Sequence, residues 1–596
     1  MHSRRFWSYV HRYRRAYLAG YAAAVVAVAT AQLSPWVLRS AIDGMRSGVS
    51  PALLAGYAGV LVALGLLEAS AGYAMRTRIL GASHRIEADL RRDYVRHLQR
   101  MHVGFFQEVR TGDLMARAVN DIRAVQRLAG VGLMRSFHTS LMILASVAFM
   151  LSIDAELTAW TVLFLAGAPL LLVALGREIR RRFDDVQAQF GVLSTRAQEI
   201  FSGIRVIKAF ACEEVHSARF REESEEVVAA NLHLARIQGA LWPALGLLLG
   251  TASVALLWQG GDAVLGGRIT LGQLVQFSYY LARLSGPVIA LGWVTNLWQQ
   301  GQASMTRLDE TFAARPAIGD PPDAVVLADV RGEIAFHDVS VTAGGTPVLR
   351  GVTLTLPAGR TVALVGPSGS GKSTLAHLVP RLLDPTAGRV LVDGHDVRRI
   401  ALASLRRAVA LVPQEAFLFS TTLHDNIALG APDGLPPVDP RVVEAAEAAQ
   451  LARDAEELPS GYSTVVGERG ITLSGGQRQR AALARALVRE APILILDDAL
   501  SNVDARTEQA ILRRLREVAA SRTVLLISHR VSTVRDADWI VVLDRGRVVE
   551  QGTHDDLLRR GGLYARLYER QMLQDALDSG DPGGSGAGRG MPPPRP

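Results

Sequence analysis

The segment Gly366, Pro367, Ser368, Gly369, Ser370, Gly371, Lys372, Ser373, Thr374 holds the densest set of groups that could do chemistry. It follows an apolar run at 361–365 and precedes an apolar-periodic stretch at 375–383. That is the strand–loop–helix setting of a phosphate-binding loop. Glycines let backbone amides curl around phosphate oxygens, and a helix N-terminus favours negative charge. Lys372 would reach the β- and γ-phosphates of a nucleotide, and the Ser373 hydroxyl would ligand Mg²⁺. A second apolar run, 493–496, ends in Asp497-Asp498. Carboxylates at the carboxyl end of a central parallel strand face the ligand crevice. Asp497 is the natural Mg²⁺-associated acid, and Asp498 stands where a base for water would. Between the two lies Leu473-Ser474-Gly475-Gly476-Gln477, followed by the helical segment RQRAALARAL. Taken alone it is a glycine-containing helix entry. Ser474 and the Gly475 and Gly476 backbone at a helix start would also make a γ-phosphate clamp.

These residues need a parallel sheet to position them, and the sequence from about 331 has its rhythm: short apolar runs alternating with polar helical patterns. The first half is different. Apolar segments lie near 17–38, 51–75, 133–153, 155–176, 238–265 and 271–297. A bilayer needs ~20 apolar residues, so these are six expected spans. Spans one and two, three and four, and five and six are joined by short loops. Arginine-rich stretches with few Gly or Pro breaks separate two from three and four from five, and read as helical extensions. Arg91, Arg92, Arg96 and Arg100 in one and Arg177, Arg180, Arg181 and Arg182 in the other place both on the cytoplasmic side, with both termini. Glu68 in the second span and Arg283 in the sixth, beside Tyr279 and Tyr280, are costly in a membrane. They read either as substrate contacts or as an interfacial or inter-helix pair. His138 in the third span reads as a packed, hydrogen-bonded histidine.

The expected architecture is a multidomain membrane protein. An all-α transmembrane domain of six helices (1–310), a linker (311–330) with Pro316, Pro321 and Pro322, an α/β nucleotide-binding domain (331–574) and a disordered tail (575–596) follow in order. The 596 residues are 49% hydrophobic and only 20% charged, which excludes a disordered or fibrous chain. One cysteine, Cys212, excludes a disulfide framework and a four-cysteine zinc site. The net charge of +8 could suggest nucleic acid, but the charges flank apolar segments, so no nucleic-acid partner is expected.

In this order and spacing the chain resembles the ATP-binding cassette transporters over nearly its full length. The resemblance rests on the phosphate loop, Gln414 in VPQE, LSGGQ, the strand ending at Asp498, Ser501-Asn502-Val503-Asp504 and His529 in ISHR. FFQEVRTGDLMARAVND and QEIFSGIRVIKAF are similar to the cytoplasmic loops of six-helix exporters. The resemblance implies a dimer of halves, with each ATP held between one subunit's phosphate loop and the other's LSGGQ. It implies Gln414 as a Mg²⁺-site residue, Ser501 and Asp504 as the D-loop, and His529 at the γ-phosphate. Gly467, Glu468 and Arg469 match the segment that meets the cytoplasmic loops.

Two departures stand out. The family usually has glutamate at 498, and aspartate retracts the carboxylate by ~1.5 Å. A base must come within ~2.6–3.2 Å of its water, and a misplacement of ~1 Å can cost on the order of 10²-fold. The site on this chain's phosphate loop is therefore expected to hydrolyse slowly. The pattern resembles the degenerate subunit of heterodimeric exporters such as the Mdl-type multidrug-resistance-like pairs, which implies an unlike partner half transporter. Also, Ala343 falls where the family commonly stacks an aromatic on adenine. The expectation is ATP-driven export of an amphipathic drug-like or lipid-like molecule across the plasma membrane. A homodimeric lipid flippase and a non-transporting regulatory subunit are the alternatives.

Overall fold

The computed structural model describes residues 4–46, 48–431, 436, 439–467, 471–519 and 522–578. The chain divides into two compact units, one of 1–100 with 109–315 and one of 101–108 with 316–596.

The first unit is helical. A short basic helix α1 (Arg4–Arg12) precedes α2 (Arg14–Arg46) and α3 (Pro51–Gln99). A third long helix is built from α5 (Thr111–Ala116), α6 (Ile122–Arg127) and α7 (Leu133–Leu151), joined without a break by π-turns at Arg117–Asp121 and Leu128–Gly132. α8 (Ala155–Ser202), α9 (Ile204–Ala209), α10 (Glu213–Leu265) and α11 (Leu271–Ala313) follow, while α4 (Val103–Glu108) belongs to the second unit. The long helices begin where capping chemistry allows. Ser50 caps α3 with Pro51 behind it, Asp154 caps α8, and Thr270 with Gln273 forms a capping box on α11. The arginine-rich stretches are the continuations of α3, α8 and α10, as expected.

Six spans were expected from hydropathy; among the described residues, four helices are long and apolar enough: α2, α3, the third helix and α10. α8 shows a shorter apolar stretch, Ala155–Phe164. α11 falls short because Gln273, Gln276, Tyr279, Tyr280 and Arg283 interrupt its apolar run. Two of those polar groups are covered by protein, Gln276 and Tyr280 being 2% and 0% exposed. Polar side chains within a span face protein rather than lipid.

The second unit holds two sheets. A four-stranded antiparallel sheet in the order β2-β1-β4-β5 is made from β1 (Ile334–Ala343), β2 (Thr346–Leu356), β4 (Ala387–Val392) and β5 (His395–Asp396). A six-stranded sheet in the order β10-β9-β3-β8-β7-β6 uses β3 (Thr361–Val365), β6 (Val409–Val412), β7 (Ile493–Asp497), β8 (Thr523–Ile527), β9 (Trp539–Asp544) and β10 (Arg547–Gly552). β6, β7, β8, β3 and β9 are mutually parallel and only β10 is antiparallel. β7 and β8 are buried at every residue, as strands covered on both faces must be. Ten helices surround the sheets: α12 (Lys372–Leu378), α13 (Leu402–Ala408), α14 (Leu423–Ala428), α15 (Pro440–Ala448), α16 (Ala452–Glu457), α17 (Gly475–Leu487), α18 (Ala505–Ala519), α19 (Val531–Val534), α20 (His554–Arg560) and α21 (Leu563–Asp578), among the described residues.

The domain borders drawn from sequence shift slightly. α11 runs past 310 to Ala313, because nothing breaks the helix before Pro316. Part of the expected linker is built into the second unit: Val325 bridges Ile400 and the Leu327 N–H donates to Ser404 Oγ at 2.9 Å. The expected tail began at 575, but α21 continues to Asp578; residues 579–596 lie outside the described residues.

Candidate functional site

Strand direction assembles the site. β3, β7, β8 and β6 run parallel, so their carboxyl ends share one edge. That edge carries the phosphate loop after β3, Asp497 and Asp498 at the end of β7, His529 beyond β8, and Gln414 beyond β6. The loop packs without slack. A Cβ on Gly366 would meet Leu543 O at 2.0 Å, and one on Gly371 (φ +102°) would meet Leu349 Cδ2 at 2.6 Å. Lys372, 5% exposed, donates from Nζ to Gly366 O and Pro367 O at 2.9 Å each, and to Ser370 Oγ at 3.4 Å. Burial lowers its pKa from the usual lysine range, with the Asp498 and Asp497 charges acting the other way.

Ser373 Oγ donates to Asp497 Oδ1 at 2.9 Å, so the two expected Mg²⁺-site oxygens are neighbours. Burial raises the Asp497 pKa; the Ser373 hydrogen bond and His377, whose Nε2 is 3.9 Å away, lower it, and Asp498 raises it further. Hard oxygen donors beside a phosphate loop suit Mg²⁺. Asp498 sits in the left-handed backbone region at φ +48°, with its N–H bonded to Ile527 O at 2.9 Å. Aspartate tolerates that conformation better than most side chains. Gln414 and His529 are exposed.

Ser474 is the N-cap of α17. Its Oγ accepts from the Gln477 N–H at 3.2 Å and its N–H donates to Gln477 Oε1 at 2.9 Å. The oxygen is used by the helix, which leaves the hydroxyl hydrogen free for an incoming acceptor. No hydrogen bond or ion pair joins 473–477 to 366–374 among the described residues. Gln477 Nε2 also holds Asp454 Oδ1 at 2.8 Å.

Sequence reasoning missed the network behind the expected D-loop. Gln479 Nε2 donates to Ser501 Oγ at 2.8 Å and its Oε1 accepts from the Asn502 N–H at 2.9 Å. Arg530, next to His529, donates to Ser501 O and Val503 O at 3.1 Å and pairs with Glu508, which also accepts from Thr533. Asp504 caps α18 through the Thr507 N–H at 2.9 Å. Signature helix, D-loop and His529 loop are thus tied through Gln479 and Arg530. The only sequence hint was a polar residue two positions beyond LSGGQ. Gly467 has φ +97°, while Glu468 and Arg469 lie outside the described residues.

Ala343 ends β1 opposite Thr346 and is exposed. Base-on-aromatic stacking contributes ~1–3 kcal/mol, so Ala343→Tyr should tighten ATP binding by about 5- to 100-fold. Equilibrium titration with a fluorescent ATP analogue checks this; unchanged affinity would place the base elsewhere.

In the first unit, Glu68 and Arg283 find each other. Arg283 Nη2 donates to Glu68 Oε1 at 2.5 Å and Nη1 to Ala31 O at 3.1 Å. The Ala31 carbonyl is free because Pro35, four residues on in α2, has no N–H to give it. One turn away, Tyr280 OH donates to Gln32 O at 2.9 Å. The inter-helix reading of Glu68 and Arg283 therefore describes them, and Tyr279 lies beside the Arg283 guanidinium at 5.6 Å. Glu68 still borders a cavity of about 520 Å³. His138 lines the same cavity, although it was expected to be packed and hydrogen-bonded.

Residues 17–288 match the family "ABC transporter transmembrane region" and residues 349–501 the family "ABC transporter". The chain is 36% identical over 575 residues to the multidrug resistance-like ATP-binding protein MdlA of Escherichia coli, covering 96% of this chain and 97% of that one. It is 37% identical to an ATP-dependent lipid A-core flippase of Syntrophus aciditrophicus, over 87% of this chain and 86% of the relative. Among solved structures, a bacterial Atm1-family ABC exporter with ATP bound superposes with a TM-score of 0.77 at 32% identity, covering 94% of this chain and 98% of that chain.

Proposed function

The chain belongs to the ATP-binding cassette transporter family, as an exporter-type half transporter that couples ATP hydrolysis to transport, and from that premise we propose a specific role. It exports an amphipathic small molecule, drug-like or lipid-like, across the prokaryotic plasma membrane as one half of a complex with a different half transporter. Both termini are cytoplasmic. The observation that carries this reading is the short acid Asp498, set on a left-handed backbone, beside an intact Leu473–Gln477 clamp. Similarity to a multidrug resistance-like protein supports the substrate class.

ATP supplies the phosphoanhydride bond and Mg²⁺ the neutralising charge. Gly366 to Thr374 would cradle the phosphates, and Ser373, Gln414 and Asp497 would hold the metal. His529 fixes the γ-phosphate and Asp498 faces the attacking water. Ser474, Gly475 and Gly476 close on nucleotide bound by the partner, completing the competent site there. Ser501 and Asp504 shape the crossing between subunits. Closure converts ATP binding into motion because ATP has greater affinity for the closed state.

A second reading, a homodimeric lipid flippase with Asp498 as working base, draws on the similarity to lipid A-core flippases. Intact mass of the complex, tagged on this chain and expressed with its chromosomal neighbours, separates the two. A one-to-one complex with a second transporter-like chain is expected. Two identical chains would overturn the heterodimer.

A further inference from the structure

The helix α21 turns one face to the core of the second unit. Tyr564 belongs to the same buried cluster as Val531 and Val534 of α19, and Leu567 and Tyr568 pack against that cluster. Positions 564, 567 and 568 follow the i, i+3, i+4 spacing of a buried face, and Gln571 falls next on it, at i+7. An amide at a place where the pattern calls for an apolar residue needs a polar partner. Gln571 has one: its Oε1 accepts from the Val531 N–H at 2.6 Å.

Val531 follows His529 by two residues, and the segment between them is held tightly. The Arg530 N–H donates to Ser528 Oγ at 3.0 Å. The Arg530 guanidinium is taken up by Ser501 O, Val503 O and Glu508, and Arg530 supplies no side-chain cap to α19. An N–H at the first position of a helix has no acceptor within that helix. Gln571, 40 positions further along the chain, provides it for Val531. The other end of α21 is fixed as well. Glu550 of β10 accepts from the Leu563 N–H at 2.5 Å and the Tyr564 N–H at 3.2 Å, and His554 Nδ1 lies 2.7 Å from Tyr564 OH. The tether therefore runs from one part of the six-stranded sheet to another: β10 anchors α21, and α21 holds the chain that leaves β8.

We infer that Gln571 is a positioning residue for His529. Through the Val531 N–H it fixes the backbone from which the imidazole meets the γ-phosphate of bound nucleotide. The inference rests on the role given to His529 above. Its consequence is selective. The phosphate loop serves ATP and ADP alike, whereas only ATP has a γ-phosphate for His529 to meet. Loss of the acceptor at 571 should therefore narrow the preference for ATP over ADP. A general loosening of the domain would weaken both nucleotides equally.

The test uses the purified full-length complex, with whatever chain co-purifies. This chain is photolabelled with 8-azido-ATP on ice in Mg²⁺, its band is resolved on a gel, and labelling is competed with ATP and with ADP. His529→Ala should lose about 10- to 100-fold of the ATP preference, the value of a hydrogen bond to a charged group. Gln571→Met, which keeps the length and removes the acceptor, should lose about 3- to 10-fold. Gln571→Glu, which keeps an acceptor oxygen, should retain it. Hydrogen exchange of the peptide 528–535 reads the tether directly, and should be about 3- to 10-fold faster in Gln571→Met and unchanged in Gln571→Glu. Wild-type exchange in Gln571→Met would overturn the inference. So would equal weakening of ATP and ADP, or an unaltered preference in Gln571→Met where His529→Ala loses it. An unaltered preference in His529→Ala would remove the role given to that residue and the inference with it, and that variant alone identifies this case.

Discussion

Gly476→Ala should lower ATP turnover of the assembled complex by on the order of 10²-fold, whereas Asp498→Ala should leave it within about 2-fold of wild type. A Cβ at Gly476 would lie 2.8 Å from Asn502 O, a backbone atom held in the Gln479–Ser501–Arg530 network. It cannot swing aside as a side-chain tip could. Either the head of α17 or the loop at Ser501–Asp504 must move, and both belong to the surface proposed above to close on the partner's nucleotide. Gly475→Ala separates the clash from the clamp. A Cβ there meets Asn502 Cβ and Cγ at 3.6 Å, an ordinary contact, so a loss in that variant belongs to the surface proposed to close on the partner's nucleotide. Steady-state phosphate release from the purified complex reads all three. Near-complete loss in Asp498→Ala would instead make that residue the working base and favour the homodimer.

The second large effect is expected at Arg283. Arg283→Ala removes three groups from their partners at once: the guanidinium, the Glu68 carboxylate and the Ala31 carbonyl. Breaking a fully buried ion pair costs about 3–5 kcal/mol. Here the side chains are 25% and 33% exposed, so about 2 kcal/mol is the expected loss. The orphaned Ala31 carbonyl adds to it, because Pro35 leaves it no helical donor. Thermal unfolding of the complex in detergent measures the total. Pro35→Ala in the Arg283→Ala background should recover part of the loss, by returning a helical N–H to Ala31. No recovery would mean that the carbonyl contributes nothing and the effect belongs to Glu68 alone.

Legibility from sequence followed how local each feature is. The phosphate loop could be read because its flanks are a strand and a helix in immediate succession. Asp497 could be read because a fully apolar strand leads into it. Each long helix was visible as an apolar segment with arginines behind it. Pairings between distant segments were not visible. Pro35 and Arg283 stand 248 positions apart, and each alone is only an anomaly: a helix breaker in a span, a charge in a span. Together they solve one problem, a carbonyl without a donor and a donor without a carbonyl. Gln479 was hidden for a related reason. On a helix rich in Arg and Gln, nothing local marks the one whose amide reaches the D-loop. The backbone at Asp498 was also silent in sequence, since its left-handed turn depends on the Ile527 carbonyl of the neighbouring strand.

The two π-turns of the third helix have one more implication. A π-turn closes its hydrogen bond over one residue more than an α-turn. With 3.6 residues per turn, a residue is worth ~100° of rotation. The stretch from Arg117 to Gly132 thus carries spare length, stored beside Asp121 and its 3.0 Å bond to Arg307 of α11. A one-residue deletion inside either turn would draw on that slack and leave the flanking helix faces aligned. The same deletion within α7 would swing everything behind it by ~100°. This helix can change length by a residue without losing its neighbours, a freedom the uninterrupted helices α3 and α10 lack.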